Sequence, residues 1–279
     1  MTLDTPTPTA VLQYERRGSF WFARLNRPGQ RNSLTEDLIT GLALLCDDVS
    51  SDLDARALVL WGAGGHFCAG ADFGRFLELM AGAPGAGVDP IITHNRGFGA
   101  LLERIAALPV PTIAVVRGAA MGGGCGLAAT CDHVIAAEDA VFAMPEVTLG
   151  VAPAQIAPFV MRRVGTSSAR WSMLTAARLH AQDALATGLA DRVVAIADLA
   201  VAVRATLESL AVAEPAALRA TKRIVHRCSQ GPLPEALDDA AREFAGLLRH
   251  GAAREGIAAS RERRAPQWRA LVPELPDFT

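Results

Sequence analysis

Two features of this chain combine residue types and spacing that suit chemistry. One is the glycine cluster Gly122, Gly123, Gly124 and Gly126; the other is a single carboxylate, Glu146, placed directly after Pro145. Consecutive glycines weaken helices and strands, so a cluster is expected where backbone must approach another group closely. This cluster runs into Leu127-Ala128-Ala129, which reads as the first turn of a helix. The N–H groups of a first turn have no intrahelical acceptor, and the helix dipole favours negative charge there. Such a start can hold an anion or a developing oxyanion. With Glu146 downstream, the pair reads as an anion-stabilising backbone site plus one acid/base group.

Other chemistries fit less well. Gly124, Gly126 and Ala129 satisfy G-x-G-x-x-G/A, with Thr112 to Val116 as the preceding strand and Glu138 as the acid. RGAAMGG intervenes where a tight turn is required, and Glu138 follows Gly124 by only 14 positions, against about 20 in a dinucleotide fold. No G-x-S-x-G elbow occurs, so serine hydrolysis has no support. The six histidines form no HExxH-type pair, and no metal site is expected. The five cysteines (Cys46, Cys68, Cys125, Cys131, Cys228) form no CxxC pair and read as reduced thiols, with Cys125 and Cys131 as small buried hydrophobes. A lone carboxylate such as Glu146 is also a common surface choice at a helix start; the glycine cluster is what favours a catalytic reading.

The elements that must position these groups alternate between strand and helix. Residues 11–25 alternate apolar and polar around Gly18, as a hairpin does. Leu34, Leu38, Leu42, Leu45 and Val49 have helical spacing behind a Ser33 or Thr35 cap. Ala57–Trp61, Thr112–Val116 and His133–Ala136 are apolar runs typical of strands covered on both faces. Further helices are predicted over 97–107, 154–164 and 167–177, and a last strand over Arg192–Ile196. Residues 81–90 are Gly/Pro-rich and read as a mobile loop. From 198 on the pattern is helical: 198–211, 214–229 and 233–249. The expected organisation is a tail at 1–10, an α/β core at 11–197, and a helical region at 198–279 that forms a separate layer or small domain.

The chain has 279 residues, 51% hydrophobic and 20% charged, with a net charge of −2. That suffices for an ample core and gives no electrostatic case for nucleic acid or a membrane surface. No apolar stretch approaches the roughly 18–20 residues of a spanning helix, and MTLDTPTPTA lacks the features of a signal peptide. A cytoplasmic protein is expected.

HFCAGADF at 66–73, GAAMGGGCG at 118–126 and MPEVTLG at 144–150 resemble the crotonase (enoyl-CoA hydratase/isomerase) superfamily. NRPGQRNSL at 26–34 resembles that family's CoA-contacting loop, and LTAARLHAQDALATGLADRVV at 174–194 its later helix–helix–strand segment. The resemblance implies a spiral of ββα units with C-terminal helices that build a homotrimer or hexamer. It implies an acyl-CoA substrate, with coenzyme A entering as part of the substrate and no separate cofactor. It also implies an oxyanion hole made by the N–H groups of Ala69 and Gly123, with Glu146 as catalytic carboxylate. Arg27, Arg31, Ala71, Asp72 and Lys222 become the CoA-contacting positions, Lys222 by reaching a neighbouring subunit. Hydration of an α,β-unsaturated thioester is the expected reaction. Double-bond isomerisation, decarboxylation or a weakly catalytic CoA-binding scaffold are the alternatives.

The chain departs from the hydratase pattern at Gly126, where typical members carry a second glutamate. The segment GVAPAQIAPFVMRRVG at 150–165 is similar to a branch acting on glutaconyl-type thioesters, such as methylglutaconyl-CoA or isohexenylglutaconyl-CoA hydratases. With one carboxylate, either a substrate carboxylate or a residue such as Gln155 would have to orient water. Arg75, His94 and Arg96, beside the 81–90 loop, are candidates to meet a distal carboxylate.

Overall fold

The computed structural model describes residues 10–82, 87–229 and 231–279. The expected tail at 1–10 and the centre of the 81–90 loop therefore lie largely outside the described residues. The chain begins with a hairpin, β1 (Leu12–Arg17) and β2 (Phe20–Leu25), turning at Gly18 with a φ of +59°. That left-handed turn conformation favours glycine. Helix α1 (Glu36–Ser51) follows, and the Thr35 side chain accepts from Leu38 N. Next come β3 (Ala57–Gly62), α2 (Phe73–Ala81) and α3 (Pro90–Ala106). Helix α3 starts earlier than its apolar spacing indicates, because Asp89 caps it and Pro90 occupies its first turn.

The central segment is β4 (Thr112–Val116), β5 (Ala119–Met121), α4 (Gly123–Thr130), β6 (His133–Ala137) and β7 (Val141–Ala143). Then follow α5 (Ala157–Thr175), broken at Gly165, then β8 (Leu179–His180), α6 (Ala181–Thr187) and β9 (Arg192–Val194). Four helices follow among the described residues, α7 (Leu199–Ala211), α8 (Pro215–Cys228), α9 (Leu233–His250) and α10 (Ala253–Glu262), before an irregular C-terminal segment.

The main sheet has the order β1-β2-β3-β4-β6-β9, parallel except for β1. A second sheet, β5-β7-β8, was not legible as such in the sequence. Both faces of the main sheet are covered, which explains its unbroken apolar runs. In β3, Leu58 and Leu60 face a core built with α1, α3, α4 and α5, whereas Ala57, Val59 and Trp61 face the other way. The second face is covered by α7 through Leu199, Val203 and Leu207, all fully buried, and by the chain from Ala270 to Phe278. Fully burying side chains of this size contributes about 1.5–3 kcal/mol each. Helix α7 is therefore part of the core, not of a separate layer. The apolar residues left uncovered lie elsewhere, notably Leu233, Leu237, Phe244 and Leu248 on α9. No helix among the described residues is long and apolar enough to cross a membrane.

Candidate active site

The loops that leave the C-terminal ends of β2, β3 and β4 converge at one place, where open parallel sheets usually bind ligands. The first loop, 26–35, is pinned by Asn32, which is fully buried. Its Oδ1 accepts from Arg27 N at 2.8 Å, and its Nδ2 donates to the carbonyls of Ala63 at 2.9 Å and His66 at 2.7 Å. No motif in the sequence marks this residue as a loop anchor. Arg27 braces the same loop, its guanidinium donating to Ser33 O at 2.7 Å and Ser33 Oγ at 2.8 Å and lying 3.6 Å from Asp72 Oδ2. Asp72 also caps α2 by accepting from Gly74 N. Arg27 and Asp72 thus join two of the converging loops. Arg31 is exposed, and its guanidinium has no partner among the described residues.

The second loop runs beside the segment after β4. Phe67 N donates to Arg117 O, Cys68 N to Ala119 O and Met121 N to Cys68 O, at 2.9–3.0 Å. His66 Nδ1 accepts from Ala119 N at 3.1 Å. These bonds set the two expected N–H carriers side by side, with one correction. The Ala69 N–H donates to the carbonyl of Arg31 at 2.8 Å, so it is not open to an oxyanion. Two residues on, Leu34 N donates to Gly70 O and Asp72 N to Leu34 O, forming a parallel bridge centred on Ala71. In that pattern the Ala71 N–H points away from Leu34. Among the described residues neither the Ala71 nor the Gly123 N–H has an acceptor. A β-carbon built on Gly70 would stand only 3.3 Å from Gly123 N and 2.6 Å from Met121 O, which shows how closely the strands approach.

Glu146 lies in a short 3-10 turn, Pro145–Leu149. Its Oε1 is 2.8 Å from where a β-carbon on Gly122 would be, so the carboxyl rests on the backbone immediately before Gly123. Gly122 has a φ of +49°, and its N–H donates to Ala143 O at 2.8 Å. Glu146 Oε2 is buried without a hydrogen-bond partner among the described residues. Burial pushes the pKa of this carboxyl above 4.5, opposed in part by a backbone N–H. The group is therefore suited to hold and release a proton. Cys68 and Cys125 lie close by, but burial pushes both thiols up to about 12, so they remain protonated.

Apolar groups surround this polar centre. A β-carbon on Gly123 would meet Leu34 Cδ1 at 2.8 Å and the Phe98 ring at 3.3 Å. One on Gly126 would meet Ile156 Cγ2 at 2.1 Å. Ile156, not a polar residue, thus fills the space beside Gly126. Gln155 is held against α3: its Nε2 donates to Asn95 Oδ1 at 2.8 Å and its Oε1 packs onto Gly99. Arg96 is paired with Glu103, and Arg75 with Glu36 and Glu78, while His94 Nδ1 is 3.5 Å from Glu36. Lys222 is also committed, donating to Val110 O at 2.8 Å and Asp132 Oδ2 at 2.6 Å with a side chain only 11% exposed. Those partners lie where β4 begins and α4 has ended, at the opposite end of the sheet from Gly123. Within its own chain Lys222 therefore braces the start of β4 rather than the Gly123 site.

A family model described as enoyl-CoA hydratase/isomerase matches residues 15–270. A putative enoyl-CoA hydratase of Thermus thermophilus is 33% identical over 244 residues, covering 88% of this chain and 95% of that protein. Among solved structures, an enoyl-CoA hydratase/isomerase from Marinobacter aquaeolei superimposes with a TM-score of 0.89 at 37% identity, covering 92% of this chain and 98% of the other. Pseudomonas aeruginosa AtuE gives a TM-score of 0.87 at 42% identity, covering 92% and 99%.

Proposed function

Because this chain belongs to the enoyl-CoA hydratase/isomerase family, we propose that the Ala71 and Gly123 N–H groups hold the thioester oxygen of an acyl-CoA while Glu146 moves the proton. The observation that carries this reading is the Glu146 carboxyl resting on Gly122, beside two N–H groups that lack acceptors among the described residues. Preorganised donors of this kind are worth about 3–4 kcal/mol each when charge develops on the oxygen. In hydration, water oxygen bonds to C3 of the enoyl thioester and the electron pair moves onto the carbonyl oxygen. Glu146 takes a proton from that water as its O–H bond breaks and delivers it to C2 as the carbonyl re-forms. In this reading Arg31, exposed and unpartnered among the described residues, meets CoA phosphate, whereas Arg27 and Asp72 shape the loop.

The Ile156–Gly126 packing favours a second reading, double-bond isomerisation. One carboxylate can remove a proton at one carbon and return it at another while the enolate is held, without a second group to position water. Turnover of a panel of 2-enoyl-, 3-enoyl- and glutaconyl-type CoA thioesters tests both readings, with 3-hydroxyacyl products scored against shifted alkenes. Absence of either product across the panel would leave a CoA-binding scaffold. The protein acts in the cytoplasm in this reading. It assembles as a homotrimer or hexamer through the exposed apolar stripe of α9.

A further inference from the structure

We infer that the C-terminal strap, through Phe278, positions the two backbone N–H groups of the proposed oxyanion site; this rests on that functional reading. Residues 269–279 form no helix or strand, yet they are tied along their length. Ala270 N donates to Ala211 O, Arg204 donates to Pro273 O, and Arg17 donates to Glu274 O. Just upstream, the carbonyl of Trp268 accepts from the buried Arg56. Ala270, Val272 and Leu275 pack against the outer face of the main sheet.

The strap ends at the edge of the sheet that faces the site. Phe278 is 3% exposed and packs edge-on against Trp61, with ring centroids 5.2 Å apart and planes at 79°. Edge-to-face aromatic pairs of this geometry add specific packing beyond area burial. Trp61 is the penultimate residue of β3, paired with Val115 of β4. The loop after β3 leads to Ala71, and the segment after β4 leads to Gly123. Neighbouring Asp277 feels the charges of Arg117 and Arg24, and Arg117 O is the acceptor that holds Phe67 N in the first of those loops. Gly62, next to Trp61, leaves no slack: a β-carbon there would lie 1.9 Å from His66 O and 2.5 Å from Phe67 O. A shift of Trp61 is therefore passed directly into the loop carrying Ala71. Phe278 touches no reacting atom, so its role is positioning.

A bound chromophoric thioester, 4-dimethylaminocinnamoyl-CoA, reports the polarisation of its carbonyl as a red shift in absorption. Wild type should show the shift. Phe278→Ala should bind the probe to saturation yet lose at least about half of the shift, with kcat falling roughly tenfold to a hundredfold, as for remote misplacements of catalytic groups. Phe278→Leu, which keeps an apolar plug under Trp61, should retain most of both. Val272→Ala, on the strap but away from the aromatic pair, serves as the structural control and should lower Tm without changing the shift. If Phe278→Ala does not fold, Phe278→Val is read by the same criteria. A full shift in the saturated Phe278 variant, or an equal loss in Val272→Ala, overturns the inference. No shift in wild type instead overturns the oxyanion reading on which it rests.

Discussion

The Ile156 side chain stands where a side chain on Gly126 would have to begin: a β-carbon on Gly126 would lie 2.1 Å from Ile156 Cγ2 and 2.6 Å from Ile156 Cβ. Both residues are buried. The absent second carboxylate is therefore matched by a compensating apolar residue, and restoring the carboxylate alone cannot restore a two-carboxylate site. Overpacking a core by far smaller groups typically costs about 1–3 kcal/mol. Gly126→Glu is expected to lower Tm by several degrees without raising crotonyl-CoA hydration. Gly126→Glu combined with Ile156→Gly should recover Tm and raise hydration above the single variant. Thermal unfolding and hydratase assays on the three proteins check this. A stable Gly126→Glu single variant with enhanced hydration would show that Ile156 yields freely.

Part of the candidate site is legible in the sequence, and what is not legible has physical causes. The glycine cluster and Glu146 stand out because close backbone approach restricts residue type. The N–H carriers do not, because direction in an extended segment alternates with register and side chains carry no record of it. Ala69 and Ala71 are both alanines in one loop, yet one N–H is consumed by Arg31 and the other is left without an acceptor among the described residues. Burial of α7 was missed because its stripe of Leu199, Val203 and Leu207 looks the same whether it meets the chain's own sheet or a second subunit. The commitment of Lys222 to Asp132 joins residues 90 positions apart and has no local signature.

Arg31 and Lys222 give opposite expectations. Arg31→Ala removes an exposed cation that has no partner among the described residues, so CoA affinity should fall while Tm stays within about a degree. A charge-assisted bond of about 1.5–3 kcal/mol corresponds to a loss of roughly tenfold to a hundredfold. The loss should shrink at high salt. Lys222→Ala strips a cation from Asp132 and Val110 O, so Tm should fall while CoA affinity holds. Calorimetry with CoA and thermal unfolding separate the two, and the reverse pattern would restore Lys222 as a CoA contact.

Assembly should depend on α9. Leu233, Leu237, Phe244 and Leu248 lie along one helical face and are exposed in the isolated chain. An apolar stripe of this length is expected to be covered by another copy. Light scattering at micromolar concentration should give a trimer or hexamer, and Phe244→Glu with Leu237→Glu should yield smaller species with unchanged helical content. A wild-type monomer would refute this.

Glu146→Gln carries the sharpest expectation. The amide keeps the size of the carboxyl but cannot exchange the proton, and general acid–base groups typically contribute about 10²–10⁴-fold in rate. A loss of kcat/KM in or above that range is expected, with binding of CoA thioesters kept. Stability should move in the opposite direction with a defined pH dependence. Burial raises the folded-state pKa of Glu146 above 4.5. The contribution of the protonated, buried carboxyl is therefore fully present below the unfolded-state pKa and is lost as pH rises through the folded one. The substituted amide does not titrate, so the stability of Glu146→Gln relative to wild type should grow as pH rises past the unfolded-state pKa and level off above the folded one. The limb of the wild-type pH–rate profile assigned to this group should be displaced upward from that of a free glutamate and vanish in the variant. Denaturant melts across pH, read beside the pH–rate profiles, decide it. Turnover by Glu146→Gln within about threefold of wild type, far short of the usual acid–base contribution, would remove Glu146 from the mechanism.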